Sequence, residues 1–197
     1  MSLFSRVQNS VKFRLYKFIP TENLIEQLRT GNGNALPAIM NTLKERLVHQ
    51  DGTLAGLNLS SAILDNIELS SSNLQKIDLS NSQITFAYFA YSDLTEAKFS
   101  DADLSDSHLR EAKLHKANCA KVNLQRANLA RADLRNVNFT NADFTEANLW
   151  RADLRGANLT EAILKGTNFT DVNIDERTIF PDKSTGQTEV DWSIYTE

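Results

Sequence analysis

One cysteine, three prolines, seven glycines and no long uninterrupted apolar run bound what this 197-residue chain can be. A lone cysteine makes no internal disulfide, and with no secretory signal ahead of the body of the chain the expectation is a reducing, cytoplasmic compartment. Without a long apolar run there is no candidate membrane-spanning helix. Glycine and proline are too sparse, and too scattered, for independent domains on a flexible tether. Neither charge sign dominates, with 21 Lys and Arg against 25 Asp and Glu. The three histidines, His49, His108 and His115, have no companion spacing that would hold a metal. A glycine-rich phosphate loop is missing, as is a nucleophile motif such as G-x-S-x-G. No catalytic residue, metal or cofactor is therefore expected.

What the chain does have is a period of five. Every fifth residue from Leu54 to Ile174 is apolar, twenty-five positions in a row: seventeen Leu, five Phe, two Ile and Cys119. The residue two before each is mostly small, as in Ala127-Asn128-Leu129 and Ala152-Asp153-Leu154. Neither a helix of period 3.6 nor a long strand of period 2 gives that spacing. A five-residue step puts two residues inward, one apart, and then turns a corner, as one side of a narrow square coil requires. These residues resemble the pentapeptide-repeat family, whose motif is A(D/N)LXX, over roughly two thirds of the chain. The resemblance implies a right-handed quadrilateral β-helix, an all-β solenoid with four pentapeptides per coil. It also makes a cyanobacterial source an expectation. Twenty-five repeats give about six coils, a rod on the order of 30 Å long at about 4.8 Å per stacked strand.

The charges report the coil length independently. At the second residue after each central apolar position, residues twenty apart pair as Lys76/Glu96, Glu96/Lys116, Asp101/Lys121, Asp106/Arg126, Arg126/Glu146, Glu111/Arg131 and Arg151/Asp171, all of opposite sign. Only Arg131/Arg151 pairs like with like. Separations of fifteen or twenty-five give mixed balances. In the twenty-residue register Cys119 falls in one column between Phe99 and Phe139, a small side chain between two rings, which reads as a buried column filler.

Three segments follow: a helical N-terminal segment over 1–50, the β-helix over 51–174 and a capping tail over 175–197. In the first, Leu3, Phe4, Val7, Val11, Leu15 and Phe18 share a helical face; Thr21 is an N-cap before Leu24, Ile25 and Leu28; Gly31 to Asn34 break the chain; and Leu36, Ile39, Met40, Leu43 and Leu47 make the stripe of a third helix. A small helical cap over the open first coil is the preferred reading. A basic helix lying on a membrane is the alternative, weakened by a net charge of only +3 over residues 1–53. Pro181, Trp192, Ile194 and Tyr195 in the acidic tail are expected to cover the last coil.

Surface recognition is the function left, with an unidentified protein as partner. Stacking gathers Arg110 and Trp150 in one column, Arg131 and Arg151 in the next, and His115, Arg135 and Arg155 around the turn. Arginine beside tryptophan is a hot-spot composition, whereas Asp133 and Asp153 between the arginines would make it a solvated ladder. A second candidate patch is Phe86, Tyr88 and Tyr91, three aromatics at outward positions that either bind a partner or pack beneath the N-terminal helices. Some members of the resembled family mimic duplex DNA and bind DNA gyrase, protecting it from quinolones, and they tend to dimerise end to end. That mimicry is the alternative function here, and a homodimer through the solenoid ends stays open. Fifteen acids against twelve bases over residues 54–174 fall short of a phosphate-like surface, and nucleic-acid binding is not expected either.

Overall fold

The computed structural model describes residues 20, 22–24, 27, 39, 42, 52, 54–185 and 191–196. Over them the chain winds as a four-sided coil. Parallel bridges join residues twenty apart from Asn58↔Asp78 to Asp153↔Asn173, so the register that the charge pairs indicate is the register of the backbone. Each side is a short strand whose two central residues donate in opposite directions. Asp78 gives its N–H to Leu57 in the coil before, and Leu79 gives its own to Lys98 in the coil after, both at 2.8 Å.

The pentapeptide has a physical reason at every position. Central residues and those two before them point inward and fill the core: Leu124, Ala127, Leu129, Ala132 and Leu134 are all buried, as are Phe89, Phe99, Phe139 and Phe144. Between them sits Asn or Asp, whose side-chain oxygen accepts the N–H two residues on, as Asn128 does from Ala130 at 3.1 Å and Asp143 from Thr145 at 2.9 Å. This local cap is why short polar side chains recur there. The corner is a β-turn closed by bonds such as Ala127 N–H to the Leu124 carbonyl at 3.0 Å, and its second central residue is left-handed, with Lys121 at φ 59° and Arg126 at φ 57°. Positive φ at that position alone marks a type II turn.

Cys119 is buried and reduced in the column between Phe99 and Phe139, and burial pushes its thiol well above the usual range. Four outward columns run up the rod, passing through Asp133, Asn138, Asp143 and Asn148, and each names a face below.

The ladder runs past the last regular repeat. A one-residue insertion after Ile174 lengthens one step, Asn158 bridges Ile179, and Phe180 enters the core beneath the tail. Trp192 stacks on Phe169 with centroids 4.1 Å apart, and Phe180 meets Trp192 and Tyr195 at 5.4 and 5.8 Å. The Gly166 N–H reaches the Thr196 carbonyl at 2.7 Å, at the end of the single helical turn Ser193–Thr196.

At the other end, residues 22–24, 27, 39 and 42 are helical, and Leu24 and Ile39 are buried in the same cluster as Leu54 of the first coil. The expected helix over residues 3–18, the Thr21 cap, the break at residues 31–34 and most of the third stripe lie outside the described residues. Among the described residues no helix is long and apolar enough to cross a membrane.

Candidate functional site

Both sequence-derived patches touch one face of the rod. Tyr88 lies in the outward column of the Asn148 face, with Phe86 at the corner before it and Tyr91 at the corner after it. One residue before Tyr91's corner column stand Arg110 and Trp150, and within that column, above Tyr91, come Glu111, Arg131, Arg151 and Asp171. Above Tyr88 the centre of the face holds no acid: His108, Asn128, Asn148 and Asn168. The asparagines form a ladder, Asn168 donating to Asn148 at 3.1 Å.

Phe86, Tyr88 and Tyr91 are 51%, 39% and 55% exposed. Phe86 and Tyr91 also occupy left-handed turn positions, at φ 56° and 62°, a region that bulky L-residues rarely adopt. His108 stacks on Tyr88 from the next coil, with centroids 4.7 Å apart and planes at 27°. His108 was not singled out from the sequence, although its twenty-residue separation from Tyr88 carries the signal.

The arginines divide into two sets on either side of the Asp133 face. Arg135 and Arg155 lie at its far corner, and each clasps the aspartate two residues before it. Arg135 donates to Asp133 at 2.7 and 2.6 Å, and Arg155 to Asp153 at 2.9 and 2.6 Å. The hydrogen bond from Arg135 holds the Asp133 carboxyl below the usual carboxylate range. Both guanidinium groups are thereby paired within the Asp133 face. His115 shares their column, half-buried, its Nδ1 without a hydrogen-bond partner among the described residues.

Arg110, Arg131 and Arg151 are held differently. Arg110 and Arg131 converge on one carboxylate, Glu111, at 3.4 and 3.5 Å, while Arg151 reaches up to Asp171 at 3.2 Å. The like-charged neighbours thus turn apart, one down and one up. Trp150 is half-buried rather than exposed, since the Arg151 guanidinium covers its ring at 4.5 Å. Elsewhere the expected ladder forms as Lys76–Glu96, Lys121–Asp101 and Arg126–Asp106 at 3.7, 4.0 and 2.7 Å. Among the described residues no group of three His, Cys, Asp or Glu side chains is placed to hold a metal ion.

Comparison with known proteins bears on the rod rather than on this face. The family model described as pentapeptide repeats (8 copies) matches residues 62–101, 102–141 and 138–175. Among solved structures, trypsin-treated QnrB1, described as a plasmid-mediated fluoroquinolone resistance protein, superposes with a TM-score of 0.54 at 19% identity, over 64% of this chain and 61% of that one. The chain thus spans about three fifths of that protein. The pentapeptide repeat protein Rfr23 from the cyanobacterium Cyanothece 51142 matches at 24% identity and TM-score 0.30, over 70% of this chain and 99% of that one. A pentapeptide repeat protein of the Arabidopsis thaliana thylakoid lumen matches at 24% identity and TM-score 0.37, over 60% and 68%. No curated protein sequence matches significantly.

Proposed function

Because the chain belongs to the pentapeptide-repeat family, we propose that it is a non-enzymatic interaction scaffold: a right-handed quadrilateral β-helix of about six coils, closed by a helical segment at one end and an aromatic tail at the other, that docks a partner protein on its Asn148 face. The observation that carries this reading is the pair of exposed aromatics, Phe86 and Tyr91, in left-handed turns where neither packing nor backbone preference favours them. Exposed rings rimmed by arginine have the composition of binding hot spots. A role without catalysis is supported by what the recurrent Asn and Asp do: their oxygens are engaged in capping the turns, as at Asn128 and Asp143.

The DNA-mimic alternative draws on the likeness to QnrB1, but that likeness, at 19% identity, speaks to the fold. A phosphate mimic needs unopposed negative charge, whereas here Arg126 covers Asp106 and Arg131 covers Glu111. Affinity capture from the native cell, with intact protein and with a Tyr91→Ala/Trp150→Ala/Arg151→Gln variant, tests the scaffold reading. A protein retained by the first and lost by the second, at equal melting temperature, is the expected result. Equal retention by both variants would move the interface elsewhere, and retention by neither would remove the reading.

A further inference from the structure

The geometry points to an acidic, partly apolar peptide segment as the occupant of the Asn148 face, its apolar side chains on Phe86, Tyr88 and Tyr91 and its carboxylates along the corner of Arg110, Arg131 and Arg151. This rests on the scaffold reading and specifies its partner. The first support is charge. Three guanidinium groups at that corner meet two carboxylates, Glu111 and Asp171, and Glu111 is divided between Arg110 and Arg131. The neutral centre of the face, Asn128, Asn148 and Asn168, supplies no further acid, unlike the neighbouring face, where Asp133 and Asp153 hold Arg135 and Arg155. The corner therefore carries one more positive charge than it has acids, although each guanidinium touches a carboxylate.

The second support is polarity across the face. At the opposite corner Arg126 clasps Asp106 through two hydrogen bonds, Glu146 stands above them and Lys165 comes one residue before the column a coil higher, so bases do not outnumber acids there. A bound carboxylate is favoured at the arginine corner over this one. Arg131 points down toward Glu111 and Arg151 up toward Asp171, so two carboxylates of the segment, rather than one shared between them, meet the two guanidinium groups. The third support is apolar. Phe86 and Tyr91 bracket the Tyr88–His108 stack two to three coils below Trp150, about 14 Å from Tyr88 to the Asn148 level, which four or five extended residues span. The segment therefore carries apolar residues at one end and acids at the other.

The test is selection of a displayed random-peptide library on the full-length protein, followed by anisotropy titration of an enriched peptide. The expected result is a consensus with at least two acids next to an apolar residue. Its affinity should fall at least about tenfold in Arg131→Gln/Arg151→Gln and in Tyr91→Ala, and hold in Arg135→Gln. Variants that melt with the parent exclude unfolding as the cause, and suppression of binding by added salt in the parent and in Arg135→Gln, but not in Arg131→Gln/Arg151→Gln, marks the ionic contacts. Enriched peptides that bind all variants equally would overturn this occupant and leave the scaffold reading standing. A basic apolar consensus resembling the chain's own residues 3–18 would instead identify an intramolecular occupant and overturn it too. A library from which nothing binds overturns this occupant, and the affinity capture alone then decides the scaffold reading.

Discussion

The corner residue of each repeat decides more than its polarity implies. From Ser61 to Asp171 these left-handed positions hold Ser, Asn, Asp, Glu, Lys, Arg, Gly, Phe and Tyr, and never Val, Ile or Thr, while the residue just before is Thr at 85, 95, 140, 145, 160 and 170. Left-handed backbone crowds a branched Cβ, so the exclusion is steric. Lys121→Val should therefore destabilise the rod by about 1–2 kcal/mol in a chemical melt. Lys121→Ala is the control that removes the exposed ion pair to Asp101, itself worth only about 0–1 kcal/mol. Equal losses for the two would mean that the turn tolerates branching. Cys119 belongs to the same scale. Buried between two phenylalanine levels with its thiol pushed up, it should resist alkylation at neutral pH until the rod unfolds. Labelling of the folded protein at the unfolded rate would place the thiol at the surface. The inward role of Cys119 was legible because the five-residue period put it at a central apolar position, between Phe99 and Phe139 in its column. The meaning of the corner residue was not, since outward polarity and left-handed backbone select overlapping residue sets.

A coil is held by its turn caps as well as by its core, and this makes it sensitive to acid. Burial pushes the Asp143 carboxyl up, but hydrogen bonds from Thr145 and Gln125 outweigh it and leave the group below its ordinary value. Arg135 lowers Asp133 directly. A carboxyl lowered in the folded state contributes stability that is full above the ordinary value of 3.8 and is lost as pH falls through the folded value. The melting temperature should thus be flat near neutrality and fall below about pH 4. Asp143→Asn keeps the acceptor for Thr145, as the Asn of neighbouring repeats does, so it should leave neutral stability nearly unchanged and make the acid limb shallower. A steeper limb would contradict the cap. At this scale the charge pairs twenty apart reveal the coil, because stacked corners select opposite signs. The insertion after Ile174 was not legible. Phe180 stands six residues beyond Ile174, off the period, and only the bridge from Asn158 to Ile179 brings it back into the column.

For the whole molecule, the consequence of laddered pairing is a surface with little net field. The protein should leave gyrase supercoiling unchanged in a purified assay, since its acids are opposed coil by coil. Inhibition at stoichiometric protein would restore the DNA-mimic reading. That Arg110, Trp150, Arg131 and Arg151 border the same face as the aromatic patch is implicit in the twenty-residue register, and only winding the chain sets Tyr91 below Glu111 and Arg131. The most direct measurement of the central claim is a photo-crosslinking scan around one coil in native extract, with the crosslinker placed in turn at Asp133, Asn138, Asp143 and Asn148. Because these four positions face outward in four directions at one height, the rod itself is the control. Adducts concentrated at position 148 are the predicted result; adducts at position 138 alone, or equal yields from all four, would contradict it.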